Sequence, residues 1–132
     1  GKNLSPQLSW DKAPSGTKSF AITAYDPDAP TGSGWWHWIA FNIPASVNSL
    51  DSGASGNSMP AGTVESRTDY GSTGFGGACP PAGDKAHRYQ FTVFALDVEK
   101  LDLATDSSGA LVGFYLNAHA LGKASVEGLY KR

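Results

Sequence analysis

The segment HRYQFTVFAL, residues 87–96, constrains the fold of this chain more than any other stretch. It is rich in aromatic and β-branched residues, which is typical of a β-strand. Alternate residues of a strand point to opposite faces of a sheet, and here each set includes large apolar side chains. Phe91 and Val93 fall on one face, and Phe94 and Leu96 fall on the other. We therefore predict that 87–96 is a central strand, buried on both faces.

Shorter apolar runs elsewhere predict a mainly β fold. The run at 19–25 is followed by the Pro-rich segment DPDAP and the run at 37–43 by Pro44, and both runs are expected to be buried strands. A short edge strand is expected within 63–71 and a final strand at 124–130, whereas the Gly-, Ser- and Pro-rich stretches 46–63 and 71–86 are expected to be loops. The chain has 16 glycines and 8 prolines, which favour many turns over long helices.

One segment, residues 107–121 (SSGALVGFYLNAHAL), predicts a principal helix near the C-terminus. Ser108 is a suitable N-cap and Gly122 a suitable C-cap. Val112 and Leu116 broaden the apolar face, so we expect the helix to be well buried. The residues at helical spacing that define this face are Leu111, Phe114, Tyr115, Ala118 and Leu121.

Length and charge limit the classes of function. The 132 residues suit a single domain, 1–132. A net charge of −2 without a basic stripe gives no reason to expect nucleic acid as a partner. No apolar run approaches the ~20 residues that span a bilayer, so we expect no membrane span.

Chemistry-bearing residues gather at three predicted strand ends. Asp26 and Asp28 follow the first strand two residues apart, so in an extended chain their carboxylates point to the same side. His37 begins the second strand, and His87 and Tyr89 repeat the same spacing at the start of another. Each strand end adjoins a Gly- or Pro-rich loop, where sites often lie.

Several readings of this set can be compared. The chain has no G-x-S-x-G and no G-K-[ST], and GFGGAC at 74–79 lacks the third glycine of a dinucleotide fingerprint. A zinc set of Asp26, Asp28, His37 and His87 has no supporting spacing. A small anion pocket fits better, because imidazoles and loop N–H groups donate to anions while a carboxylate orients an imidazole. The plainer alternatives are that Asp26 caps a turn and that a histidine is packed in the core.

Longer motifs of the sequence resemble those of a known protein family. DPDAP at 26–30, WWHW at 35–38 and GGACPPAGDKAHRYQFTVFAL at 76–96 together resemble the phosphatidylethanolamine-binding protein family, which includes the Raf kinase inhibitor proteins. SPQLSW at 5–10 and the segment 107–121 extend the similarity over nearly the whole chain, and it is closest to the short bacterial members.

The resemblance implies a large antiparallel sheet packed on a smaller one, and a small anion-binding pocket at one end. Pro30 stands where the family often has a cis proline. We expect no cofactor, no metal and no catalytic residue, because no activated nucleophile is evident; the alternative is an enzyme that uses Asp and His as acid and base. Carried over residue by residue, the family's pocket motif falls on Asp26, Asp28, His37, Gly77, Pro80, His87 and Tyr89.

The chain departs from the family pattern at Cys79, where many members have glycine or alanine, and it lacks the C-terminal extension of the mammalian proteins. An N-terminal β segment of the bacterial members has no counterpart here, so the single domain is expected to lack it. If that segment carries a cysteine, Cys79 is half of a disulfide, which slightly favours the periplasm over the cytoplasm. The alternative is a buried free thiol.

The function expected from these features is non-enzymatic binding of a phosphate-like or phospholipid head-group-like anion, a property that would suit a regulator. In this reading His37 and His87 donate to the anion, and Asp26 and Asp28 hold the imidazoles. The alternative is an inhibitor of a protein kinase or protease that acts through the loop PTGSGWW at 30–36. A protein partner and a homodimer both remain open.

Overall fold

The computed structural model describes residues 4–77 and 87–130, with the backbone alone for 87–89 and 126–130. Five strands form an antiparallel sheet in the order β5-β3-β2-β6-β7, and β1 and β4 pair as a separate two-stranded sheet. Together with one helix near the C-terminus of the described chain, these sheets confirm the expected mainly β class. The elements are β1 Leu8–Ser9, β2 Ser19–Asp26, β3 Trp35–Pro44, β4 Ser49–Leu50, β5 Val64–Glu65, β6 His87–Leu96, α1 Gly109–His119 and β7 Ala120–Tyr130.

The five-stranded sheet separates two apolar cores. On one face, Phe20, Ile22 and Trp38 pack with Leu50 of the small sheet. On the other face lie Ile39 and Phe41 of β3, together with the helix residues Val112 and Leu116. The sheet is thus the middle layer between the small sheet and the helix, and this explains why its strands are apolar on both faces.

Strand β6 has the predicted bounds, 87–96, and is buried on both faces. Phe91 belongs to the core on the small-sheet side, and Phe94 and Leu96 belong to the core under the helix. The prediction that it is the central strand is wrong, because β2 lies at the centre and β6 lies between β2 and β7. Apolar residues on both sides of a strand indicate that both of its faces are covered, but they do not indicate where the strand lies in the sheet.

The helix begins as predicted and ends earlier. Ser108 is the N-cap, and its hydroxyl accepts a hydrogen bond from the Leu111 N–H at 3.1 Å. The predicted C-cap at Gly122 is wrong, because Ala120 is already extended and pairs with Leu96 at the start of β7. Pairing with β6 therefore ends the helix before the glycine.

The predicted buried face of α1 is confirmed only at Val112 and Leu116, and the other residues assigned to it are exposed. The helix buries Gly109, Val112 and Leu116 against the sheet. A Cβ at Gly109 would lie 2.5 Å from the Trp36 ring, so this glycine allows the helix to approach the sheet closely. Apolar residues surround most of this helix, and the spacing alone could not select the stripe that packs. The other residues expected inside are exposed: Leu111, Phe114, Tyr115, Ala118 and Leu121.

The described part of the remaining segments agrees with the sequence except at one peptide bond and at the start of the last strand, where β7 begins at Ala120 instead of residue 124. Residues 78–86 of the loop expected at 71–86 lie outside the described residues. The short edge strand expected within 63–71 is β5, and the loop at 46–63 contains only the two-residue β4. The described residues contain no cis peptide bond, so the bond at Pro30 is trans. Among the described residues, no helix is long and apolar enough to cross a membrane.

Candidate functional site

The strand ends singled out in the sequence lie at one end of the large sheet. Asp26, the last residue of β2, pairs with Trp35, the first residue of β3. Tyr25 pairs with Gln90, so the first residues of β6 run beside the end of β2. The backbones of His87 and Tyr89 are therefore at this end, whereas their side chains lie outside what the structure describes. Cys79 and Pro80 also lie outside the described residues.

His37 occupies a β-bulge. Ala24 pairs with Trp38 and Tyr25 pairs with Trp36, so His37 is the extra residue on β3. Bulges change the direction of a side chain near the rim of a sheet. The His37 residue is 4% exposed, and its Nδ1 lies 2.9 Å from the carbonyl oxygen of Gly76. Since a carbonyl only accepts, Nδ1 carries the proton, and the proton that His37 gains or loses is on Nε2.

Asp26 forms part of a tight turn. It is 2% exposed, and its Oδ1 accepts a hydrogen bond from the Asp28 N–H at 2.8 Å. The turn-capping alternative left open by the sequence is therefore confirmed for Asp26. Asp28 is exposed. The acceptor that orients Nδ1 of His37 is the Gly76 carbonyl, so a carboxylate does not perform this task at that atom.

Tyr70 is a site residue that sequence reasoning missed. Its ring centroid lies 5.7 Å from that of His37 and 5.3 Å from that of Trp35, both in edge-on geometry. Its hydroxyl donates to the Gly77 carbonyl at 2.8 Å. The only available signal was a tyrosine directly before a glycine-rich loop, within a segment assigned as an edge strand.

The chain from Ser66 to Gly77 covers the outer edge of β3. The Asp69 N–H donates to the Trp36 carbonyl at 3.1 Å, and the Trp36 N–H donates to Asp69 Oδ2 at 2.8 Å. Gly76 donates its N–H to the His37 carbonyl at 2.9 Å. A Cβ at Gly76 would lie 2.5 Å from the Tyr70 ring, so glycine is needed there for the loop to fit.

The tryptophans of the opening motif take different positions around this end of the sheet. Trp38 is fully buried in the core on the small-sheet side. Trp36 is half-buried, with its ring centroid 4.6 Å from that of Tyr25. Trp35 is half-buried beside Tyr70. Much of the aromatic surface in the loop 30–36 is thus used within the chain, although residues 30–33 are exposed.

No group of three or more His, Cys, Asp or Glu side chains that could hold an ion occurs within the described part of the chain. The described site instead joins a buried imidazole, a buried carboxylate, an aromatic wall and glycine-rich backbone. These groups suit a small polar ligand better than a cation bound by several side chains.

Known proteins match along almost all of the chain. The family model for phosphatidylethanolamine-binding protein matches residues 1–131. The UPF0098 proteins YbcL and YbhB of Escherichia coli K12 are 56% and 52% identical, over 99% and 98% of this chain and 73% and 83% of their own lengths. The crystal structure of E. coli YbcL, described as a new member of the mammalian PEBP family, superposes with a TM-score of 0.95 at 55% identity, covering 98% of this chain and 81% of that one. The chain belongs to the phosphatidylethanolamine-binding protein family.

Proposed function

We propose that this protein is a non-enzymatic binding module whose pocket at the end of the large sheet holds a small anion of the phosphate or phospholipid head-group type. The proposal rests on the hydrogen bond between His37 Nδ1 and the Gly76 carbonyl oxygen, at 2.9 Å. This bond selects the tautomer of His37 in which Nδ1 carries the proton. With Nδ1 committed to that carbonyl, protonation at Nε2 produces an imidazolium that donates a charge-assisted hydrogen bond.

The neighbouring groups support a small ligand with both polar and apolar parts. Gly76 brings backbone against His37, and its N–H is already used by the His37 carbonyl, so the imidazole supplies the polar part of the proposed contact. Tyr70 and Trp35 add an aromatic wall on one side. The family motif read from the sequence adds Gly77, Pro80, His87 and Tyr89 to the proposed pocket.

The buried carboxylate of Asp26 bears on the choice between ligands. A carboxylate repels a bare anion, yet the ammonium of a zwitterionic head group would be attracted by Asp26 and by exposed Asp28. Phosphorylethanolamine should therefore bind at least as tightly as inorganic phosphate. Tighter binding of phosphate alone would remove the head-group part of the proposal.

Calorimetric titration of inorganic phosphate and of phosphorylethanolamine into the wild-type protein and into His37→Ala tests the proposal. A charge-assisted hydrogen bond contributes enough that the variant should bind about ten- to a hundredfold more weakly. Circular dichroism and thermal melting establish that His37→Ala is folded. Failure of the wild-type protein to bind either ligand at millimolar concentration would overturn the proposal.

His119 offers a matched control for this experiment. It lies at the end of α1, with Nδ1 2.8 Å from Asp97 Oδ1, at the opposite end of the sheet from His37. His119→Ala removes the same side chain and should leave the affinity for phosphate unchanged. Equal weakening by both variants would indicate a general charge effect instead of a site at His37.

The non-enzymatic part of the proposal has its own test. Nucleophilic catalysis requires a nucleophile within hydrogen-bond reach of a base, and His37 is the side chain of the described site that could act as that base. Incubation with phosphorylethanolamine or with a p-nitrophenyl phosphate ester should give no product above the rate of a His37→Ala control. Turnover that depends on His37 would show that the protein is an enzyme.

A further inference from the structure

A second polar cluster lies behind the candidate site, on the outer edge of the large sheet. Glu65 of β5 accepts hydrogen bonds at Oε2 from the indole N–H of Trp38, at 2.8 Å, and from the Ser55 hydroxyl. Its Oε1 accepts from the Gly56 N–H at 2.9 Å. The carboxylate thus joins β5, the buried ring of β3 and the loop at 51–62.

The Ser55 hydroxyl links this cluster to the candidate site. Its oxygen accepts a hydrogen bond from the Phe75 N–H at 2.8 Å, so its own proton is available for Glu65. A hydroxyl that must both donate and accept has its direction fixed by its two partners. Phe75 directly precedes Gly76, whose carbonyl accepts from His37.

The segment Phe75–Gly76 is therefore held from two sides. Ser55 holds the Phe75 N–H, and His37 exchanges bonds with both the N–H and the carbonyl of Gly76. The Phe75 ring adds packing against Trp38, at 5.8 Å between centroids. Removal of the Ser55 link would leave this segment held by the two bonds between Gly76 and His37, by the Phe75 ring and by the bond from the Tyr70 hydroxyl to the Gly77 carbonyl.

From these contacts we infer that Glu65 and Ser55 are positioning residues for the anion site: they fix the Gly76 carbonyl and, through it, the tautomer and direction of the His37 imidazole. This inference rests on the proposed function for its consequence, which is tighter anion binding. The geometric part concerns His37 alone and can be measured without a ligand.

The proposal explains why a carboxylate stands at position 65. Trp38 and Gly56 can only donate here, and the Ser55 hydroxyl donates because an ionised carboxylate can only accept. An ionised carboxylate accepts from all of them, whereas the amide of Glu65→Gln turns one donor group toward another donor. Glu65→Gln is nearly isosteric, so it tests hydrogen bonding with little change in packing.

The test is imidazole ¹⁵N NMR of His37 in the ligand-free full chain, followed by phosphate titration of the same samples. Ser55→Ala and Glu65→Gln should shift the His37 nitrogens away from a pure Nδ1–H tautomer and weaken phosphate binding about three- to tenfold. Ser55→Thr retains the hydroxyl and should restore both values. Ser72→Ala, an exposed serine between Ser66 and Gly77, should change neither.

The outcomes separate this inference from the proposed function. Unchanged His37 shifts in Ser55→Ala and Glu65→Gln overturn the inference, even where melting temperature or phosphate affinity falls. Changed shifts in both variants with rescue by Ser55→Thr support it. If the wild-type protein binds no phosphate, the proposed function fails, and the shifts alone decide whether these residues position His37.

Discussion

The interior of the five-stranded sheet and the end of that sheet are built on different principles. In the interior, residues such as Ile22, Ile39 and Phe41 are fully buried and touch other apolar side chains. At the end, the buried residues Asp26 and His37 are polar, and each has a backbone partner. Burial supplies the stability of the first region, whereas hydrogen bonds fix the geometry of the second. Substitutions should therefore separate stability from binding.

The largest effect on stability is expected from Phe91→Ala in β6. Phe91 is 6% exposed, and its ring stacks against Phe75 with 6.5 Å between centroids. Loss of the ring leaves a cavity in the core, so the free energy of unfolding should fall by about 3–5 kcal/mol. Chemical denaturation measures this change. A loss smaller than that of a surface substitution would contradict the arrangement of β6 between two cores.

A smaller effect is expected at Asn42, where β3 has a second irregularity. Asn42 has a positive φ of 62°. Its Oδ1 accepts a hydrogen bond from the Leu101 N–H at 2.7 Å, and its Nδ2 donates to the Leu101 carbonyl at 3.3 Å. Asn42→Ala loses these bonds and strains the backbone, so the free energy of unfolding should fall by about 1–3 kcal/mol. Asn42→Gly relieves the strain and should recover part of the loss. Equal losses of unfolding free energy in both variants would show that backbone strain does not contribute to the effect of Asn42→Ala.

The smallest effect is expected on the outer face of α1. Phe114 is 68% exposed, so Phe114→Ala should change the free energy of unfolding by less than about 0.5 kcal/mol. Leu116, on the same helix, is fully buried, and Leu116→Ala should cost about 2–5 kcal/mol. Denaturation of the two variants side by side checks which stripe packs. A larger loss at Phe114 would reverse the assignment.

These elements show what the sequence could and could not predict. Strand β6 was predicted with its bounds, because period-two alternation with large residues on both faces has few other solutions. The apolar face of α1 was predicted too broadly: it included Val112 and Leu116, which are buried, but apolar residues surround most of the helix, and the close approach of Gly109 to Trp36 that helps to set which side packs is a tertiary contact.

Part of the candidate site could also be predicted from the sequence. The chemistry of Asp26 and His37 at strand ends was visible as residue type and spacing. The contribution of Tyr70 and of the Gly76 carbonyl was not visible, because both act through tertiary contacts made by a loop. The link from Glu65 through Ser55 was hidden for the same reason, since its members lie far apart in the sequence.

The proposed anion site at the end of the sheet depends on the imidazolium form of His37. Sulfate is the best probe, because its charge stays constant while histidine titrates. Calorimetry of sulfate binding between about pH 5.5 and pH 8 should show affinity rising as pH falls, because protonation at Nε2 adds a donor and a positive charge. His37→Gln should lose part of this rise, with the remainder due to His87 of the proposed pocket, and His119→Ala should retain all of it. Sulfate affinity that is independent of pH, or that rises with pH, would contradict the account.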